Sequence, residues 1–375
     1  MTARPLDIVI FGLSITSAWG NGHATTYRSL VRALAQRGHR ITFFECDKAW
    51  YANHRDMPSP PWCDTRLYGS LEELDDHFGG PLSADLIIIG SYVPEGIRLA
   101  RWVLARADGP TAFYDIDTPV TVAALASGTC SYLTPDLVRA FDLYLSFTGG
   151  PFLERLRSQY GARHTRPLYC SVDTSLYYPA DLPALYDLAY LGTYSDDRQP
   201  SLERLLNQPA KSWPEGRFCV AGAQYPDTIE WPPNVTRIEH VSPREHCRFY
   251  NSQRFALNLT RADMLAAGFS PSVRLFEAAA CGVPIITDRW PGLEQFFAPG
   301  TDILVAESGA DTLRYLRDLS PAEAQAIGAN GRRRVLAEHT AAHRASQLES
   351  CILALRAPGR EHTSHALKAE AVHGT

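Results

Sequence analysis

The chain has 375 residues, enough for two domains of ordinary size. With 45% hydrophobic and 21% charged residues it has the composition of a soluble globular protein, and no apolar run approaches membrane-spanning length. The net charge of -5 gives no sign of electrostatic capture of nucleic acid. The eight cysteines are scattered, which excludes a zinc-ribbon spacing and suits reduced thiols. Because a strand pattern follows Met1 almost at once, we expect a cytoplasmic protein without a signal peptide.

Short apolar runs rich in Ile, Val, Leu and Phe alternate with helical stretches along the chain, the pattern of parallel α/β sheets. Because the alternation occurs in both halves, we predict two similar doubly wound domains rather than one large sheet. The predicted strands are 7–12, 40–45, 65–68, 85–90, 111–116, 143–147 and 167–170, then 187–192, 218–222, 236–241, 255–259, 283–287 and 302–305.

A stretch rich in breakers, 173–183, interrupts the pattern near the middle of the chain. We therefore predict an N-terminal domain over 1–172, an interdomain linker over 173–186 and a C-terminal domain over 187–340. Residues 321–356 are predicted as a long helix that is broken near Gly328 and Gly331. The tail 357–375 has little apolar content and is predicted to be disordered.

The segment from Ser270 to Pro284 is the most informative in the chain, and it is predicted as a capped helix that leads into a buried strand. Ser270 is a good N-cap, and Gly282 can adopt the left-handed conformation that ends a helix. The helix is almost entirely apolar, yet it carries Arg274 and Glu277, three positions apart. A buried helix accepts charges only when they are paired or meet a ligand. Two interpretations follow: a structural Arg274–Glu277 ion pair, or a nucleotide-sugar site.

Residues 276–286, Phe-Glu-Ala-Ala-Ala-Cys-Gly-Val-Pro-Ile-Ile, resemble the donor-binding motif of nucleotide-sugar glycosyltransferases with the GT-B fold. Over about residues 5–355 the chain is similar to the bacterial glycosyltransferases that resemble the spore-maturation protein CgeB. The resemblance implies an α/β protein with two Rossmann-like doubly wound domains and a cleft between them. It also implies that the helix 341–356 returns to the first domain. The blocks that support the resemblance are 19–24, 114–119, 170–173 and 190–198.

The resemblance implies that the C-terminal domain binds the donor, with Glu277 on the ribose hydroxyls and Arg198 on the diphosphate. A transferase that uses no metal can neutralise a leaving diphosphate with loop amides, helix N-termini and basic side chains. Arg261 and Arg274 lie near the same predicted sheet edge as Arg198, although Arg198 could instead be a solvated side chain beside two aspartates. The predicted donor-binding residues are Gly192, Thr193, Arg198, Arg261, Ser270, Arg274 and Glu277.

One departure from the family pattern leaves the stereochemical outcome open. Retaining GT-B enzymes of the best-known type carry two glutamates eight positions apart. In this chain the position eight before Glu277 is Phe269. The half of the pattern that binds ribose is therefore present, and the half that faces the sugar is not.

The first domain is expected to bind the acceptor, and a loop rich in glycine precedes its first helix. His23 at the helix start is predicted as a general base, since imidazole titrates near neutral pH. The alternative is a residue that only hydrogen-bonds at the helix start. The glycine spacing is not a dinucleotide fingerprint, which argues against an NAD-type oxidoreductase. The residues predicted to line the acceptor side here are Trp19, Gly20, Asn21 and Gly22.

Asp115 and Asp117 end a buried strand, and alternation places them on the same side. Asp-x-Asp resembles the metal motif of the other major glycosyltransferase fold, but here it lies in the acceptor half, so we predict no metal. Asp117 is predicted as an acceptor-binding or base residue; the alternative is a carboxylate that caps the next helix. The other predicted cleft-lining residues are Asp115, Ser91, Tyr92, Thr148 and Gly149.

The predicted function is that of a metal-independent, hexosyltransferase-like glycosyltransferase without a cofactor. Its co-substrate would be a nucleotide-diphosphate sugar, with a UDP-sugar as the first guess, and its acceptor a small molecule or glycan. The alternative is a non-catalytic two-domain protein that binds a sugar or nucleotide. Slow hydrolysis of a sugar nucleotide would indicate the transferase, and tight binding without turnover the binding protein.

Overall fold

The computed structural model describes residues 4–19, 22–78 and 80–356. The tail 357–375, predicted to be disordered, lies outside the described residues. The chain divides into two compact units: the first consists of Met1–Tyr169 and Ala341–Thr375, and the second of Cys170–Thr340. Residues 173–186, predicted as a linker, thus belong to the second unit.

The first unit is built around a parallel sheet of seven strands. These are β1 (Asp7–Gly12), β2 (Arg40–Cys46), β3 (Asp64–Tyr68), β4 (Leu86–Gly90), β5 (Thr111–Asp115), β6 (Leu143–Ser146) and β7 (Thr165–Pro167). Their order in the sheet is β3-β2-β1-β4-β5-β6-β7. Every residue of β4 and β5 is buried, because helices cover both faces of a sheet of this type. The helices are α1 (His23–Gln36), α2 (Ala49–Ala52), α3 (Leu71–Phe78), α4 (Gly96–Arg106), α5 (Thr118–Ser127), α6 (Pro135–Ala140) and α7 (Phe152–Tyr160).

The second unit has a parallel sheet of six strands. These are β8 (Tyr186–Leu191), β9 (Phe218–Ala221), β10 (Val235–Ile238), β11 (Gln253–Asn258), β12 (Ile285–Thr287) and β13 (Leu304–Val305), in the order β10-β9-β8-β11-β12-β13. Its helices are α8 (Gln199–Leu202), α9 (Gln208–Ser212), α10 (His246–Asn251), α11 (Ala262–Ala267), α12 (Val273–Ala280), α13 (Gly309–Asp318) and α14 (Pro321–Glu338). A π-helical turn, Glu203–Asn207, joins α8 to α9, and short 3₁₀ turns cover Pro243–Glu245 and Leu293–Gln295.

In both sheets the order of the strands reverses beside the first strand. In the first unit β2 and β3 lie on one side of β1 and β4 lies on the other; in the second unit β9 and β10 lie on one side of β8 and β11 lies on the other. This is the doubly wound arrangement, in which ligands bind beyond the carboxyl ends of the strands at the point of reversal. The predicted fold class of two Rossmann-like units is therefore confirmed.

The last helical region is organised differently from the prediction. Gly328 and Gly331 lie inside α14, and the break falls after Glu338, before α15 (Ala341–Arg356). A Cβ on Gly328 would lie 2.1 Å from the carbonyl oxygen of Gly282. The glycines therefore allow close packing of a continuous helix, and the prediction of a break there was wrong.

The helix α15 belongs to the first unit and is tied to it by charge. Arg37 donates from Nε and Nη2 to the two carboxylate oxygens of Glu349, each at 2.5 Å. His39 Nε2 lies 2.5 Å from the same carboxylate. These bonds connect α15 to the end of α1 and the start of β2.

The strand predicted over 167–170 is displaced. The edge strand β7 covers Thr165–Pro167 and pairs with β6. The N–H of Leu168 donates to the carbonyl of Ser146, the last residue of β6, at 2.8 Å, and the ladder ends there. The apolar residues after Pro167 are buried without being part of a strand.

Candidate functional site

Arg274 lies at the point of reversal of the second sheet and is anchored to both central strands. Its Nη1 donates to Asn258 Oδ1, at the end of β11, at 3.0 Å, and to Ser272 Oγ at 3.2 Å. Its Nε donates to the carbonyl of Leu191 at the end of β8. The guanidinium lies 4.8 Å from the ring centroid of Tyr190. These contacts hold one positive charge at the carboxyl ends of β8 and β11.

Arg198 and Arg261 bring two further positive charges to the same region. Arg198 Nη2 donates to the carbonyl of Thr193 at 2.8 Å, while its buried Nε has no hydrogen-bond partner among the described residues. Burial lowers the pKa of the Arg198 guanidinium, and the charges of Arg274 and Arg261 lower it further. Arg261 Nε lies 3.9 Å from the Asp197 carboxylate. Three guanidinium groups that repel one another form a region suited to an anion.

Glu277 is buried on α12 with 5% of its surface exposed. Its Oε2 accepts a hydrogen bond from the Tyr250 hydroxyl at 3.0 Å. Burial raises the pKa of the Tyr250 and Tyr177 phenols well above the usual value, and the Glu277 charge raises both further. Within the described residues Glu277 forms no ion pair with Arg274, whose partners are those given above. The interpretation of a structural Arg274–Glu277 pair was therefore wrong.

The start of α12 also differs from the prediction. The N-cap is Ser272 rather than Ser270, and the Ser272 hydroxyl accepts from Arg274 instead of capping the helix. Ser270 is buried, with its Oγ 3.1 Å from Met264 Sδ. The preceding Phe269 has φ of +49°, in the left-handed region that non-glycine residues rarely adopt. This turn delays the helix by two residues relative to the sequence pattern.

Gly192 and Thr193 form the turn that leaves β8 beside these arginines. A Cβ at Gly192 would lie 2.8 Å from Arg274 Nη2, so glycine leaves room for the guanidinium. The Gly192 N–H donates to the carbonyl of Ala221 at 2.8 Å, and Thr193 is exposed. The structure thus brings together Gly192, Thr193, Arg198, Arg261 and Arg274, all predicted as donor-binding residues.

A buried polar network at the ends of β11 and β12 supports the site, and sequence reasoning missed it. Asn258 Nδ2 donates to Thr287 Oγ1 at 2.9 Å. Thr260 donates to the Asp288 carboxylate from its N–H at 3.0 Å and from its hydroxyl at 2.8 Å. Burial raises the pKa of the Asp288 carboxyl. The available signal was that polar residues directly follow apolar strand residues at both strand ends.

In the first unit, His23 begins α1 and is 8% exposed. Its buried Nδ1 has no hydrogen-bond partner among the described residues. The pKa of the imidazole is below its usual value, because burial lowers it by more than the negative charge of Asp117 raises it. The ring meets Tyr92 edge to face, with 5.4 Å between centroids. A neutral imidazole at neutral pH is the form that can accept a proton.

Asp117 and Tyr92 lie beside His23. The Tyr92 hydroxyl donates to Asp117 Oδ2 at 3.3 Å, and Tyr92 has φ of +63°. Asp117 is the N-cap residue of α5, but its side chain makes no capping hydrogen bond there. The alternative of a helix-capping carboxylate therefore does not describe this residue. The structure brings together the two predicted catalytic residues, His23 and Asp117.

Asp115 differs sharply from Asp117, although the two lie two residues apart. It is fully buried, its Oδ2 accepts from the Tyr144 hydroxyl at 2.5 Å, and its Oδ1 accepts from Thr121 Oγ1 at 2.8 Å. Burial raises the pKa of the Asp115 carboxyl to about 7. In this structure Asp115 is a core residue, contrary to its prediction as a residue that lines the acceptor side.

Ser91 and Thr148 are also fully buried rather than lining a surface. The Ser91 hydroxyl accepts from the N–H of Ile116 at 3.2 Å. Ser91 directly follows the buried strand β4, and Thr148 lies two residues beyond the buried strand β6, so their burial continues that of the strands. Gly149 packs so closely on Tyr169 that a Cβ there would lie 1.8 Å from the phenol oxygen.

The loop before α1 is described only in part. Trp19 is 40% exposed, and its ring stacks on His54 with 4.6 Å between centroids. Gly22 is the N-cap of α1. The predictions for Gly20 and Asn21 lie outside the described residues.

Over residues 4–19, 22–78 and 80–356, no three His, Cys, Asp or Glu side chains are grouped to hold a metal ion. Over the same ranges, every helix is too short or too polar to cross a membrane. The metal-independence prediction stays a prediction.

Comparison with known proteins identifies the architecture. Residues 198–350 match a family model described as glycosyl transferase-like. A solved sucrose-phosphate synthase from Thermosynechococcus elongatus is 18% identical, with a TM-score of 0.66 over 94% of this chain and 99% of that one. The chain has the GT-B fold. A search of curated protein sequences found no match.

Two further GT-B structures extend the comparison. HepE from Anabaena, solved in complex with UDP and glucose, is 11% identical, with a TM-score of 0.67 over 93% of this chain and 100% of that one. An alpha-glucosyltransferase in complex with UDP-glucose and DNA containing an abasic site is 13% identical, with a TM-score of 0.69 over 93% and 100%. The family match includes Arg198, Arg261, Arg274 and Glu277.

Proposed function

We propose that this GT-B chain is a glycosyltransferase that uses a nucleotide-diphosphate sugar, with a UDP-sugar as the first candidate donor. The observation that carries the proposal is the convergence of Arg198, Arg261 and Arg274 at the reversal point of the second sheet, with Glu277 on the adjoining helix. Structures of the same fold were solved with UDP-glucose, which supports this choice of donor. We also propose a small-molecule or glycan acceptor, the CgeB-like subtype and a cytoplasmic location.

The second unit would bind the donor and stabilise its leaving group. Breaking the bond between the sugar and the diphosphate leaves negative charge on the diphosphate, and fixed guanidinium groups stabilise that charge without reorganisation. Glu277 would accept hydrogen bonds from the ribose hydroxyls, since charge-assisted bonds of this type are strong. Tyr250 holds one of its carboxylate oxygens. The donor is thereby oriented by its nucleotide, and the sugar remains free to react.

The first unit would activate the acceptor. His23 accepts the proton of an acceptor hydroxyl as that oxygen attacks the sugar carbon. The nearby Asp117 carboxylate, whose charge offsets part of the lowering of the His23 pKa by burial, stabilises the imidazolium that results. Tyr92 holds the carboxylate through its hydroxyl.

The test is a thermal-shift panel of UDP, GDP, dTDP and their sugars. A nucleotide at about 100 times its dissociation constant stabilises the protein by roughly 2.7 kcal/mol. The variant Arg198→Gln is expected to lose most of the shift. The matched control Arg314→Gln removes an exposed arginine paired with Asp311 and should keep it. No shift with any nucleotide would overturn the proposal, and binding without hydrolysis or transfer of the sugar would indicate a non-catalytic binding protein.

A further inference from the structure

The turn at Gly192 is held from one side by a loop that follows β9. The Tyr225 hydroxyl donates to the Gly192 carbonyl at 3.1 Å. Two residues after Gly192, the Tyr194 N–H donates to the carbonyl of Ala223, in the same loop as Tyr225, at 2.9 Å. A Cβ on Gly222 would lie 2.0 Å from the Gly192 carbonyl oxygen, so the two backbones meet at the closest approach that glycine allows. The geometry of the turn therefore depends on this second loop.

The loop itself is held in an unfavourable backbone conformation. Gln224, directly before Tyr225, has φ of +68°, and Gly222 has φ of +148°. A left-handed non-glycine residue persists only where its surroundings impose it, and such residues concentrate at ligand sites. The left-handed conformation of Gln224 therefore indicates that the surrounding structure holds Tyr225 in this position.

An arginine and a second aromatic ring fix Tyr225 from behind. The Arg237 guanidinium lies 4.2 Å from the ring centroid of Tyr225 and 4.7 Å from that of Trp231. Arg237 Nη2 also donates to the Gly222 carbonyl at 3.1 Å. The cation–π contacts and this hydrogen bond to the Gly222 carbonyl fix the Tyr225 ring relative to the loop.

The orientation of the Gly192–Thr193 peptide decides what this turn offers to an anion. In a trans peptide the carbonyl and the following N–H point in opposite directions. Holding the Gly192 carbonyl on Tyr225 therefore directs the Thr193 N–H to the other side. Among the described residues that N–H has no hydrogen-bond acceptor, and Thr193 is exposed. Its own carbonyl accepts from Arg198.

We propose that Tyr225 is a positioning residue for the donor diphosphate: it holds the Gly192 carbonyl so that the Thr193 N–H and Arg198 meet the diphosphate. This inference rests on the proposed function. Without the tyrosine hydroxyl the peptide can rotate, which would present a carbonyl oxygen to an anion and displace the Arg198 anchor.

The test is the variant Tyr225→Phe, which keeps the ring over Arg237 and removes only the hydroxyl. By calorimetric titration with whichever of UDP, GDP and dTDP the wild type binds, affinity should fall about 5- to 10-fold, the effect of losing one hydrogen bond. Affinity for the matching monophosphate should change less than about twofold, since the β-phosphate is absent. The ratio of the two affinities therefore falls, which general destabilisation would not produce. Without ligand, hydrogen exchange at the Tyr194 N–H should become faster.

Tyr315→Phe is the matched control, because Tyr315 donates in the same way to the Val305 carbonyl at 2.9 Å in the same unit. Its affinity ratio should equal that of the wild type. An unchanged ratio in Tyr225→Phe, with the wild type binding a nucleoside diphosphate, would overturn this inference and leave the proposed function standing. Equal losses for both ligands with a lowered melting temperature would make Tyr225 purely structural. A wild type that binds none of the three diphosphates would overturn both proposals.

Discussion

At the scale of single residues, the surroundings of two buried carboxylates distinguish the proposed ligand-binding residue from a core residue. Glu277 and Asp115 are both buried acids next to tyrosines. Glu277 keeps 5% of its surface exposed and accepts from Tyr250 on Oε2, whereas Asp115 is fully enclosed and accepts on both oxygens, from Tyr144 and from Thr121. An enclosed acid with both oxygens occupied has little left to offer a ligand.

Glu277→Gln tests the ribose-binding role. The substitution keeps the volume, removes the charge and turns one acceptor into a donor. We expect nucleoside diphosphate binding to weaken by roughly 1.5–3 kcal/mol, or about ten- to a hundredfold, with little change in stability. Calorimetric titration and a melting curve on the same protein measure both. Unchanged affinity with a lowered melting temperature would remove Glu277 from the site, and Glu294→Gln, on the exposed surface, is the control.

His23→Ala tests the general base. We expect turnover to fall roughly 100-fold or more while nucleotide binding is kept. Because the folded-state pKa of His23 is lowered, the wild-type rate should hold at neutral pH and fall only when acid protonates the imidazole. That acid limb should be absent from the variant. Full turnover in His23→Ala would assign the residue to structure, and His164→Ala, beside the edge strand β7, controls for loss of any histidine.

Asp115→Asn tests the core acid through the pH dependence of stability. A carboxyl whose folded-state pKa is raised from 3.8 to about 7 stabilises the fold at low pH, and this contribution is lost as pH rises through 7. The free energy of unfolding of the wild type should therefore fall relative to that of Asp115→Asn between about pH 4 and 7, by on the order of a few kcal/mol. Urea titrations across this range measure it. A constant difference would show that Asp115 is ionised in the fold.

At the scale of elements, close backbone approach explains features that local propensity does not. The helix α14 passes the turn after α12 so closely that Gly328 has no room for a side chain. The same turn contains Gly282, with φ of +77°. The two glycines thus serve one contact, although one is in a helix and the other ends one.

Gly328→Ala tests this contact, because helix propensity and packing predict opposite changes in the free energy of unfolding. By helix propensity alone the change would stabilise α14 by about 1 kcal/mol. Because a Cβ would lie 2.1 Å from the Gly282 carbonyl oxygen, we expect destabilisation instead, by about 1–3 kcal/mol. Chemical denaturation measures the difference, and a stabilised variant would contradict the packing described here.

At the scale of the whole molecule, the two units carry different charged groups at the carboxyl ends of their strands. The second unit gathers Arg198, Arg261 and Arg274 at the reversal point of its sheet. The first unit places His23 and Asp117 at the carboxyl side of its own sheet. One set suits a diphosphate and the other an acceptor hydroxyl, which are the two roles that the proposed transfer requires.

Chelation tests whether the arginines replace a metal. We expect EDTA to leave activity largely intact, since the guanidinium groups supply the positive charge that a cation would otherwise provide. The measurement is product formation with and without EDTA, then after addition of manganese or magnesium. Complete loss that either metal restores would reject the arginine model and direct attention back to Asp117.

The sequence by itself determined the fold class and most of the strands, because period-2 and period-3.6 patterns are local properties of the chain. The same holds for Gly282 at the end of α12 and for the arginines that follow strand ends. These features need only neighbouring residues to be read.

Only the tertiary structure decided which polar residues meet. Arg274 bonds to Leu191 and Asn258 because β8 and β11 are adjacent in the sheet although far apart in sequence. The burial of Asp115 depends likewise on Tyr144 from the neighbouring strand β6. Strand order and helix contacts are set by long-range packing, which a local pattern does not encode, and so the partners of each charge had to come from the structure.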